Sequence, residues 1–131
     1  MKIDVQFIPH AQHRYTTIGY WAVEGGTLVI QISEEICWPN RIAVLFHELI
    51  EAAWCIANNV TTAECDAFDD LFEREYAAGI WPKSVEAGFD KRCPYRTGHR
   101  WGTVMEHLVF WILGVRKRDM DAECDRLMGV E

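Results

Sequence analysis

The stretch "IAVLFHELIEAAWCIA", residues 42 to 57, constrains this chain more than any other part of it. Its sixteen residues include only three polar ones, His47, Glu48 and Glu51. A segment of this length that is apolar on nearly every side reads as a central helix with neighbours all round, because a surface helix keeps a polar face. His47 and Glu51 are four residues apart and share a face, and Glu48 lies about 100° round from His47. Ionised carboxylates in such surroundings cost several kcal/mol each unless something compensates. The available compensations are a metal ion, a set of buried hydrogen bonds, or solvent in a cleft.

The metal reading is the sharpest. On a helix, His-Glu-x-x-His is the pattern in which two ligands one turn apart grip zinc and the Glu beside the first is the general base. Here Glu51 stands where the second histidine would be. Carboxylate oxygen is an accepted zinc ligand, so His47 and Glu51 supply two of the three protein ligands that a catalytic zinc needs. Glu48 falls where a base would take a proton from water. The third ligand comes either from Asp69, on the acidic segment that follows, or from His99 in "CPYRTGHRW". His99 has another use, as a cation that steadies an oxyanion with Tyr95 in support. Thr103 and Glu106 follow His99 at i+4 and i+7 and form one stripe with it. The competing reading of the first helix is a partly open face whose acids meet arginines, and an acidic second helix is ordinarily a solvated face. His107, inside an apolar run, reads as a core histidine.

Around this helix the chain divides into strands and then helices. Residues 2 to 8 alternate as a strand does, and "YTTIGYWAVE" and "TLVIQIS" flank Gly25-Gly26, a two-residue hairpin signal. Pro39 suits the first turn of the central helix, which ends near Asn58-Asn59. Thr61 and Thr62 are cap candidates for a second helix with Gly79 as its stop. A loop with Pro82, Gly88 and Pro94 leads to a third helix from about Thr97 to Leu113, stopped by Gly114. A short last helix covers "DMDAECDRLMG".

The 131 residues form one domain, with no repeat or linker. A formal charge of −7 argues against general binding to nucleic acid or to anionic membranes. The run "VMEHLVFWILGV" is too short to span a bilayer. No h-region opens the chain, and the five cysteines contain no Cys-x-x-Cys pair, so a cytoplasmic location with reduced thiols is expected. Lys91, Arg92, Arg96, His99 and Arg100 make the one basic segment, suited to an anionic group or to pairing with the chain's own acids.

The segments "RYTTIGYW", "GGTLVIQIS", "FHELIEA", "AFDDLFE", "PYRTGH" and "MEHLVFWILGV" occur in this order over nearly the whole chain. Together they resemble a family of small bacterial and bacteriophage proteins of uncharacterised activity. That family carries a His-Glu-Leu-x-Glu-Ala helix, then Phe-Asp, Pro-Tyr-x-x-x-His, and a helix with Glu and Leu-Gly-Val. By analogy with zincins, the resemblance implies a metal-dependent hydrolase in a bacterial or phage-infected cell. The positions shared with the family are Arg14, Tyr15, His47, Glu48, Glu51, Asp69, Tyr95, His99 and Glu106. This sequence departs at Tyr20, where the pattern usually reads Gly-Asp-Trp.

The expectation is therefore an α+β, zincin-like domain, with a small N-terminal antiparallel sheet packed on three to four helices. His47, Glu51 and Asp69 (or His99) would hold zinc, with Glu48 as base and His99 and Tyr95 as catalytic supports. The substrate would be a peptide or a small molecule carrying an amide. Two alternatives differ in class. One is a magnesium-dependent nucleotide pyrophosphatase that uses Glu48-x-x-Glu51 and Asp66-x-x-Asp69 as acidic pairs. The other is a non-enzymatic binding protein with a degenerate or structural site.

Overall fold

The computed structural model describes residues 1–130. Strands β2 (Gly19–Glu24) and β3 (Thr27–Ser33) form the expected hairpin, paired antiparallel from Glu24↔Thr27 to Gly19↔Ile32. Gly25 and Gly26 both take positive φ, which a tight hairpin turn of this hand requires. Strand β1 (Lys2–Ile8) corrects one expectation. It joins the other side of β3 and runs parallel to it, so the sheet is mixed, in the order β1-β3-β2. The reason lies in the ten-residue connection between β1 and β2, which carries the chain past the end of β3. Ser33, fully buried, secures that crossing: its amide donates to the Ile18 carbonyl, and its hydroxyl meets His10 Nδ1 at 2.9 Å and His13 Nε2 at 3.0 Å.

The inner face of β3 presents Leu28, Ile30 and Ile32, and these with Trp21 and Ala22 of β2 make the core against the first helix. Burying side chains of this size is worth roughly 1.5–3 kcal/mol each. That helix, α1 (Trp38–Ala57), has no side-chain cap of its own. A distant residue serves instead: the Glu123 carboxylate accepts from the Cys37 amide and from Asn40 Nδ2, placing negative charge where the unpaired helix amides favour it. Glu123 lies on the last helix, α4 (Lys117–Met128), which is thereby docked at the start of α1.

Helix α2 (Thr62–Ala77) opens with a reciprocal capping box: Thr61 Oγ1 accepts from the Glu64 amide, and Glu64 Oε2 from the Thr61 amide. Helix α3 (Arg96–Leu113) ends at Gly114 in the left-handed conformation. It lies along α1, and two glycines permit the approach. A Cβ on Gly102 would come within 2.9 Å of both Cγ and the carbonyl oxygen of His47, and one on Gly98 within 3.1 Å of the Glu51 carbonyl oxygen. Three strands and four helices make an α+β domain, as expected.

Candidate metal centre

Helix α1 turns His47, Glu48 and Glu51 inward, and α3 brings His99 down on them; all four are buried, at 4, 8, 5 and 8 % exposure. His47 Nε2, His99 Nδ1 and Glu51 Oε2 form a triangle with edges of 3.0, 2.9 and 3.1 Å. Among the described residues this group could hold a metal ion.

Protons satisfy this triangle only by crowding two donors together. Burial pushes the Glu51 carboxyl up, but hydrogen bonds from His47 and His99 outweigh it and hold the group down to about 2, so Glu51 is an acceptor only. Each imidazole must then donate to it, and the two N–H groups face each other across 3.0 Å. Any other placement of two protons sets two lone pairs together. A single cation suits three converging lone pairs. The donor set, two imidazole nitrogens and one carboxylate oxygen, matches zinc, and bonds of about 2.0–2.1 Å in a tetrahedral site space the ligands about 3.3 Å apart, close to the edges seen.

The surroundings hold each member in place. Trp21 Nε1 donates to Glu51 Oε1 at 3.0 Å, which fixes the carboxylate from the strand side. Behind His47, Glu106 Oε1 lies 2.5 Å from Nδ1; the contact is ionic and set off the N–H direction, leaving Nδ1 without an aligned hydrogen bond. Burial lowers the affinity of His47 for its proton, yet Glu106 and Glu51 outweigh this and raise it to about 11. An imidazole with a carboxylate behind it is the usual second layer of a metal site, where Nε2 would give up its proton to a bound ion. His99 is held by Gly88, which approaches so closely that an added Cβ would come within 2.3 Å of the ring, and by the edge of Phe89 at 4.7 Å between centroids. Its Nε2 is buried without a hydrogen-bond partner, 3.8 Å from Glu86 Oε1.

A cavity of about 200 Å³ opens beside this group, with Glu48, Glu51 and His99 on one wall and Asp69, Tyr95 and Phe72 on another. Glu48 accepts no hydrogen bond. Burial, then the nearby Glu51 charge, push its carboxyl well above the usual carboxylate range. It fits only because β2 presents a glycine there: a Cβ at Gly19 would lie 2.7 Å from Glu48 Oε1.

Of the expected ligands, His47 and Glu51 meet, and His99 closes the group. Of the two candidates for a third member, His99 joins His47 and Glu51, and Asp69 lies outside the group. Its Oδ1 instead accepts from the Tyr95 hydroxyl at 2.6 Å, and burial pushes its carboxyl up to about 7 against the lowering effect of that bond. The physical reason is reach: α2 carries Asp69 to the cavity wall, while the close α1–α3 contact carries His99 to the floor. His99 belongs to the buried group with His47 and Glu51, and Tyr95 stands on the cavity wall. Tyr15 and Tyr20 line the far side of the same cavity. Arg14 and Tyr15 pair with Asp66 and Asp70, and the Tyr20 hydroxyl donates to Asp66 Oδ1 at 3.0 Å. Within the basic segment, Arg92 pairs with Glu75 and Asp90.

Sequence reasoning missed Trp21, the backing role of Glu106 and the space-making glycines. Signals existed for two of them: a buried indole N–H needs an acceptor, and Gly98-x-x-x-Gly102 puts two small residues on one helix face. Compared with protein-family models, curated proteins and solved structures, the chain matches none. No helix among the described residues is long and apolar enough to cross a membrane.

Proposed function

We propose that this chain is a metal-dependent hydrolase, with zinc held by His47, Glu51 and His99 and an amide or peptide bond as the target. The observation that carries the reading is the crowded triangle of two imidazole nitrogens and a carboxylate oxygen beside a cavity, with the carboxyl of Glu48 next to it. The ion, when bound, supplies a Lewis acid and brings the pKa of a water toward about 7. Glu48 takes the proton of the attacking water on its carboxylate and returns it to the leaving amine, a role suited to an acid whose affinity for protons is raised by burial. Tyr95 donates a hydrogen bond from its hydroxyl to the developing oxyanion in place of Asp69. Trp21 and Glu106 hold the ligands so that no reorganisation is needed during the reaction.

The magnesium reading loses support, because Asp66 is engaged by Arg14 and Tyr20 instead of pairing with Glu51. The five free cysteines agree with a cytoplasmic setting in a bacterial or phage-infected cell, the setting implied by the sequence resemblance. Metal analysis of untagged protein tests the reading. About one zinc per chain is expected, lost in His47→Ala and retained in Glu48→Gln. Protein purified with zinc in the medium that carries no metal, or His47→Ala that keeps it, ends the proposal.

A further inference from the structure

The α1–α3 pair carries a second apolar face on the side away from the cavity. Measured by the 100° step from Gly102, which touches α1, residues Trp101, Leu108 and Ile112 of α3 lie on one flank, opposite His99, Glu106 and Phe110. On α1, Phe46 and Ile50 lie about 160° from Glu48, on the same outer side. The exposures are large for such residues: Trp111 at 80 %, Ile112 at 64 % and Trp101 at 57 %, with Leu108, Val104 and Phe46 also exposed. The charged residues of α1 all point elsewhere: Arg41 donates to the Ile36 and Glu34 carbonyls, and Glu48 and Glu51 are in the core. Only Arg100 and His107 border the face on α3, and no acid does.

We propose that this face is the interface of a two-fold homodimer, in which the α1–α3 layers of two copies pack into a four-helix core. Three observations select a second copy as the occupant. Positions 101, 104, 108 and 111 repeat at intervals of three and four, the spacing of a seam made for another helix. Exposed tryptophans present on the order of 150–200 Å² each, and the face as a whole on the order of 800 Å², what one partner contributes to a standard interface. The face itself is uncharged, so two chains of charge −7 meet through it with their acidic surfaces turned away. An anionic bilayer would need a basic rim richer than Arg100 and His107 on so acidic a chain. The proposal is independent of the metal, although α1 and α3 carry the ligands on their opposite sides.

Sedimentation equilibrium of the full chain tests it, read beside the far-ultraviolet spectrum. Wild type should sediment at twice the 15.2 kDa chain mass down to low micromolar concentration. Leu108→Glu should keep the helical spectrum while its dimer dissociation constant rises about 30-fold or more, as for a central interface residue. Mixing Leu108→Glu with Leu108→Lys should restore the dimer. A wild type that is monomeric throughout, with or without affinity for anionic vesicles, overturns the proposal, and so does a Leu108→Glu protein that dimerises as tightly as wild type.

Discussion

The indole Nε1 of Trp21, on an edge strand, donates to Glu51 Oε1 at 3.0 Å, on the helix behind it. This one bond ties the sheet to the buried His47–Glu51–His99 group. Trp21→Phe keeps the ring packing and removes the donor. Zinc affinity should fall about 10–100-fold, as for other partners behind metal ligands. Stability of the metal-free protein should fall by about 1.5–3 kcal/mol, the worth of a hydrogen bond to a charged group. Competition with a chromophoric chelator and a urea melt measure the two; an unchanged zinc affinity would remove Trp21 from the site.

Glu48 is buried without a hydrogen-bond partner and beside the charge of Glu51. Glu48→Gln should therefore raise stability near neutral pH, by about 1 kcal/mol, since a glutamine neither buries a charge nor has to take up a proton on folding. The same change should lower amide hydrolysis about 10²–10⁴-fold with zinc still bound. Thermal melts and turnover of a mixed peptide pool decide it. A variant that is both less stable and fully active contradicts the role given to Glu48.

Asp69 titrates in a window of its own. Its carboxyl is raised from 3.8 to about 7 by burial, so between those values the folded chain holds a proton that the unfolded chain has released. Stability from this group is therefore full below about 4 and declines as pH rises to about 7. Carbon-13 NMR of the carboxyl should show a midpoint near 7, and Asp69→Asn should flatten the stability profile across that window. A midpoint near 4 would mean that the cavity wall is wetter than the fold implies.

Gly102 touches His47 directly. Gly102→Ala forces a methyl to within 2.9 Å of the ring and of a backbone oxygen, and neither can yield without separating α1 from α3. A loss of about 1–3 kcal/mol is expected, as for other overpacked interiors, together with weaker zinc binding. Thr61→Ala is the matching control. It breaks the capping box of α2 and should cost about 1 kcal/mol while leaving zinc binding intact. Equal effects of the two on the metal would show that stability alone governs binding.

Much of this protein was decided locally and could be read from the chain. The Gly25-Gly26 turn, the Thr61–Glu64 cap and the Gly114 stop act over a few residues, so their positions follow from residue type. The polar trio within an apolar helix marked the site for a similar reason: burying charge is expensive wherever the helix packs, and His47 and Glu51 share a face at any i, i+4 spacing. Tertiary structure decided the rest. Alternation in β1 specifies which residues share a face but leaves open both the partner strand and its direction, and only the crossing past β3 made the pairing parallel. His99 and Asp69 were equal candidates because each lies on another helix, where sequence distance says nothing of reach. Contact between α1 and the glycines of α3 brought His99 rather than Asp69 to His47 and Glu51, since packing distance in three dimensions determines which side chains meet.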